Sequence, residues 1–116
     1  MRFSIRFSLL LGCYFVFLSG LMAQESLDGI RRRLDKAPDN KAKVGLLIDA
    51  SREVDAAHPK AALRFANEAL RLSQKLRFRE GVVRAYSNLG VVYINQDQFS
   101  LARSNLNKAI NLKQQL

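Results

Sequence analysis

The chain has 116 residues, 48% of them hydrophobic and 25% charged, with two prolines, six glycines and a formal charge of +9. This composition excludes collagen, low-complexity sequence and a multidomain enzyme, since a single compact domain takes about 100 to 150 residues. It also places only one histidine and one cysteine in the whole chain.

The first 23 residues read as an export signal. Arg2 and Arg6 make a positive start without acidic neighbours, an apolar run from Phe7 to Phe17 follows, and Leu18-Ser19-Gly20-Leu21-Met22-Ala23 ends on a small residue before a polar one. The run is short for a membrane span, which takes about 20 apolar residues. Cleavage after Ala23 would leave a chain starting at Gln24, remove Arg2, Arg6 and Cys13, and bring the formal charge from +9 to +7. The mature protein is then expected in the periplasm or outside the cell, with no thiol for a disulfide or a metal. The competing reading is an uncleaved anchor in the inner membrane facing outward, because Leu21 is bulkier than the residue preferred three positions from a signal's end. A third reading rests on Leu10-Leu11-Gly12-Cys13, which resembles a lipoprotein attachment box, although the apolar run continues through Tyr14 to Leu18.

Beyond the signal, the apolar residues recur with a helical period and no stretch alternates as a strand does. Leu27, Ile30 and Leu34 mark a short amphipathic helix within 24–38, ending near Ala37-Pro38-Asp39-Asn40 and carrying Arg31, Arg32 and Arg33 on its polar side. From Lys41, Val44, Leu47, Ile48 and Val54 describe a second helix that closes at Ala57-His58-Pro59. Proline is tolerated in a first helical turn and disfavours helix at the residue before it, so a third helix runs from Pro59 to about Leu76. The fourth spans about Glu80 to Asn95, Gln96-Asp97-Gln98 forms a turn, and the fifth spans Ser100 to about Gln114.

The helices repeat. Ala62, Ala69 and Leu72 fall over Ala102, Ala109 and Leu112 at an offset of 40, and Leu47, Ala50, Ser51 and Val54 fall over Tyr86, Leu89, Gly90 and Tyr93 at an offset of 39. The chain is thus expected to be all-α, with two helical hairpins of one design (39–116, the repeats at about 41–78 and at 83–116) behind an extra amino-terminal helix.

Counted from Val83, the second unit resembles the tetratricopeptide repeat. The family's succession of large, Leu, Gly, Tyr, Ala, large and Ala is met by Tyr86, Leu89, Gly90, Tyr93, Ala102, Leu106 and Ala109. The first unit departs from it, with Ser51 at the glycine position and Val54 at the tyrosine position. Asp97 stands where the family usually has glycine, and Gln114 where proline often closes the repeat. The resemblance implies a right-handed α-solenoid in which Gly90 and Ala102 let paired helices approach, while Tyr86, Leu89 and Tyr93 fill the space between hairpins. It also implies a groove on the first helices of the hairpins, at Ile48, Arg52, Arg84, Ser87, Val91, Ile94 and Asn95. Ile48, Val91 and Ile94 have a competing reading as core residues.

No catalytic residue is expected, and no cofactor. His58, the only histidine, cannot form a His-pair metal site or a two-imidazole relay, and neither a phosphate loop nor a nucleophile elbow is present. The basic excess is spread over Arg31 to Arg33, Lys60, Arg64, Arg71, Lys75, Arg77 and Arg79, without the aromatic interleaving of single-strand binders. Acidic proteins, lipid headgroups or surface polymers are therefore expected ahead of nucleic acid, and solubility alone would also account for the charge. The expected function is that of an exported, non-catalytic protein-interaction scaffold. The alternative is a severed input region, because lengthened repeats behind a signal resemble the extracytoplasmic sensor regions that precede kinases, cyclases or DNA-binding domains in Bacteroidetes-type bacteria. The last helix carries Leu101, Ile110, Leu112 and Leu116 on more than one side, so it is expected to be covered by a second copy in a two-fold homodimer, by a partner protein, or by a further repeat if the chain is a fragment.

Overall fold

The computed structural model describes residues 25–116, so the expected export signal and its expected cleavage after Ala23 lie outside the described residues. The chain divides into two compact units, Met1–Ile30 and Arg31–Leu116, the division falling within the first helix. The described residues contain five helices and no strand: α1 Leu27–Lys36, α2 Lys41–Val54, α3 Pro59–Lys75, α4 Arg79–Asn95 and α5 Phe99–Gln114. Residues 25–116 thus form an all-helical fold. None of these helices is long and apolar enough to cross a membrane.

Each boundary has a local cause. The Ser26 hydroxyl accepts the Gly29 N–H at 3.1 Å, which is N-cap chemistry at the start of α1. Asn40 caps α2 with an extended backbone (φ −140°), its side chain accepting the Lys43 N–H at 3.0 Å. Pro59 opens α3, where its missing N–H costs nothing.

The next two turns share one geometry. Phe78 N–H donates to the Ser73 carbonyl (2.8 Å) and Arg77 N–H to Gln74 (3.1 Å); Gln98 N–H donates to Tyr93 (2.9 Å) and Asp97 N–H to Ile94 (3.0 Å). This is the Schellman pattern, which needs one left-handed residue, and Arg77 (φ 52°) and Asp97 (φ 58°) supply it. The backbone at Asp97 thus has the conformation for which glycine is usually chosen.

Within the unit Arg31–Leu116, consecutive helices α2, α3, α4 and α5 pack on one another, and α2 also packs on α4. Ser51 meets Ala62, Ser73 lies beside Gly81, and Gly90 lies beside Leu106, so each consecutive pair is antiparallel. The pairings of Ser51 with Asn88 and Asp55 with Asn95 advance together along the chain, so α2 and α4 run parallel. The interior consists of Val44, Leu47, Ile48, Ala62, Ala66, Ala69, Ala85, Leu89 and Val92, all at most 2% exposed. Burial of large aliphatic side chains contributes about 1.5 to 3 kcal/mol each, and here it is greatest on α2, while α3 presents mostly alanines. On α5 only Ala102 and Ala109 are buried.

Candidate interaction surface

The surface is built on α2 and α4, whose relation is set by polar groups inside the core. The Asn88 amide donates to the Ser51 hydroxyl at 2.9 Å, and that hydroxyl donates to the Ala62 carbonyl at 2.8 Å. Asn88 and Ser51 are 1% and 0% exposed, so three helices are joined by directional bonds away from water. At the far end of α4 the Asn95 amide donates to Asp55 Oδ2, and Gln96 donates to the Pro59 carbonyl at 3.2 Å.

These contacts orient α4. Its Asn88 side faces α2. Its Gly90 side faces α5, where a Cβ at Gly90 would lie 2.5 Å from Leu106 Cδ2. The small residue thus makes room for Leu106, while Ala102 is buried nearby on α5. Between the two sides lies an uncovered strip in which Val91 is 48% and Ile94 42% exposed. Their reading as core is corrected, because no described helix covers that strip.

The other expected groove residues divide. Arg84 is exposed and Ser87 half-buried on the same strip, at helical spacing from Val91, and Arg52 is exposed on α2. Ile48 is 0% exposed, which corrects its place in the groove. It lies one turn before Ser51, on the side of α2 that faces the interior. Asn95 is exposed but bonded to Asp55, so its amide is engaged within the chain.

The strip therefore has an apolar centre at Val91 and Ile94, with the exposed guanidinium group of Arg84 as its charged residue. Such a surface accepts a segment that offers apolar side chains and a carboxylate. No covalent chemistry follows from it, and among the described residues no three His, Cys, Asp or Glu side chains converge as a metal would require.

Two cations lie over rings at the hairpin joints. Lys41 Nζ is 5.0 Å from the Phe78 ring centroid, and Lys108 Nζ is 5.5 Å from that of Tyr86. Tyr86, half-buried, thus faces α5, its own hairpin partner. At the entrance to α2, Lys43 Nζ lies 3.0 Å from Asp39 Oδ1. The Lys43 ammonium holds the Asp39 carboxyl below the usual carboxylate range through that hydrogen bond and its charge, with Lys75 and Arg71 adding to the effect.

Sequence reasoning missed Asn88, Asp55 and the bond made by Ser51. The one available signal was Ser51 itself, a hydroxyl at a position of the repeat where only a small residue is wanted. No family model, curated protein or solved structure matches the chain.

Proposed function

We propose that the protein is a non-catalytic interaction scaffold of tetratricopeptide type, exported from the cytoplasm to the periplasm or beyond, that holds a protein or peptide segment along α4 and the adjoining part of α2. The observation that carries this reading is the uncovered strip of α4, where Val91 and Ile94 remain 48% and 42% exposed beside Arg84. Scattered single apolar residues on a surface need no explanation, but Val91 and Ile94 share one helical strip with Arg84, a residue type enriched at interface hot spots.

The solenoid reading is supported by the antiparallel order of successive helices, the parallel run of α2 and α4, and the left-handed Asp97. The export reading rests on residues 1–23 of the sequence, and sequencing the amino terminus of the protein made in its own host tests it. A start at Gln24 is expected; an intact Met1 in the membrane fraction would replace export by anchoring, and a lipid on Cys13 would replace both.

The binding reading is tested by placing a photo-reactive residue at Val91 and, as control, at Asn67 on the exposed side of α3. A discrete adduct from position 91 that disappears with Arg84→Glu is expected. Equal labelling from both positions would remove the groove as the binding site.

A further inference from the structure

The internal repeat gives an uncovered part of this molecule a covered counterpart. In the first hairpin, α4 rests on α2 and α3 at four places: Gly81 against Ser73, Asn88 on Ser51, Asn95 on Asp55, and Gln96, just past the helix, on the Pro59 carbonyl. Advanced by 39 residues on α2 and by 40 on α3, the offsets of the repeat, the four seats become Lys113, Gly90, Ile94 and Phe99. Leu106 of α5 already lies against Gly90, and nothing in the described chain occupies the other three as α4 occupies their counterparts. Ile94 is 42% and Phe99 64% exposed, while half-buried Leu70 and Leu76 become Ile110 and Leu116 at 54% and 65%.

The chemistry of the seat changes between the two copies. A hydroxyl, a carboxylate and a backbone carbonyl meet the amides around α4, whereas glycine, isoleucine and phenylalanine take their places in the second hairpin. A helix bearing amides at those positions would bury them without partners, which is unfavourable. The serine beside Gly81 is replaced by a lysine, which favours a carboxylate in the first turn of the occupant, where the helix dipole favours it too.

We propose that the edge formed by Ile94, Phe99, Ile110 and Lys113 binds an amphipathic helix of a partner protein, with aliphatic residues where α4 has Asn88 and Asn95 and an acidic residue in its first turn. A second copy of this chain fits worse. α5 carries Arg103, Lys108 and Lys113 and no acid, and α4 carries Arg79 and Arg84 against Glu80, so a two-fold pairing through this edge would bring like charges together. The site is separate from the strip at Arg84 and Val91, sharing only Ile94 with it, and either can fail without the other.

The probe is a labelled, end-capped peptide with the sequence of Arg79–Asn95 carrying Gly81→Glu, Arg84→Glu, Asn88→Leu and Asn95→Leu, titrated against the full chain by fluorescence anisotropy. It is expected to bind at least tenfold more tightly than the same peptide without the four changes. Ile110→Asp in the protein should weaken it at least tenfold with helicity unchanged, and Phe99→Ser, at the more exposed position, supplies the same reading if Ile110→Asp unfolds the chain. Lys113→Glu should weaken the probe severalfold, and a peptide with Gly81→Arg in place of Gly81→Glu should restore it. Equal affinity for the two peptides, no binding, or binding indifferent to Ile110→Asp and Phe99→Ser would overturn the proposal. So would a dimer in light scattering that Ile110→Asp dissociates, since a second copy would then be the occupant.

Discussion

Asn88 and Ser51, 37 residues apart, share a 2.9 Å hydrogen bond in a region where neither is more than 1% exposed. Ser51→Ala leaves the Asn88 amide without its acceptor and is expected to cost about 1 to 3 kcal/mol, while Asn88→Leu together with Ser51→Ala should recover part of that loss. Urea unfolding of the two single variants, Ser51→Ala and Asn88→Leu, and of the double variant measures the coupling. Strictly additive costs would mean that the bond does not tie α4 to α2.

Gly90 is expected to tolerate no larger residue while Leu106 is in place. Gly90→Ala puts a methyl 2.5 Å from Leu106 Cδ2 and 2.6 Å from its Cγ, an overpacking worth about 1 to 3 kcal/mol. Adding Leu106→Ala should return most of the stability, read as the midpoint of thermal unfolding. A Gly90→Ala protein as stable as the parent would show that Leu106 rotates away at no cost.

The two left-handed residues should respond alike to glycine. At φ 52° and 58° an L residue carries a penalty that glycine lacks, so Arg77→Gly is expected to stabilise by about 1 kcal/mol, and Asp97→Gly by less because aspartate tolerates this region. Scanning calorimetry should find both melting temperatures raised. A fall at Arg77→Gly would mean that the arginine side chain does more for the fold than its backbone costs.

Asn95→Ala should destabilise modestly, by about 1 kcal/mol, through loss of its bond to Asp55, whose other oxygen is already buried without a partner. Asn95→Asp should be worse, because it sets two carboxylates against each other, and the difference from Asn95→Ala should shrink as salt is added. A difference indifferent to salt would argue that the two side chains separate when charged.

Asp39 sets a further pH dependence. Its carboxyl titrates lower in the folded chain than in the unfolded one, so its contribution is fully present above the ordinary aspartate range and is lost as pH falls through the depressed value. Asp39→Asn should flatten the acid limb of the stability profile and leave stability above that range lower and level. The change should be small, since Asp39 is exposed and its pairing with Lys43 is screened by water.

The helices of this protein were legible in its sequence because their boundaries are set by neighbours along the chain. Asn40 caps α2, Pro59 opens α3, and the spacing of Leu27, Ile30 and Leu34 marks α1 without reference to anything distant. Gly90 was legible as a point of close approach for the same kind of reason, since a missing side chain at a fixed place in a repeat has few other uses.

The periodicity of a helix says which residues share a face, and only packing decides what lies against that face. Ile48 and Val91 both read as groove or core; tertiary structure enclosed the first beside Ser51 and left the second 48% exposed. Asn88 and Asn95 are polar residues on an amphipathic helix, which in sequence alone look solvated. Their partners Ser51 and Asp55 lie 37 and 40 residues away, and no local rule carries information over that distance until α4 is laid on α2.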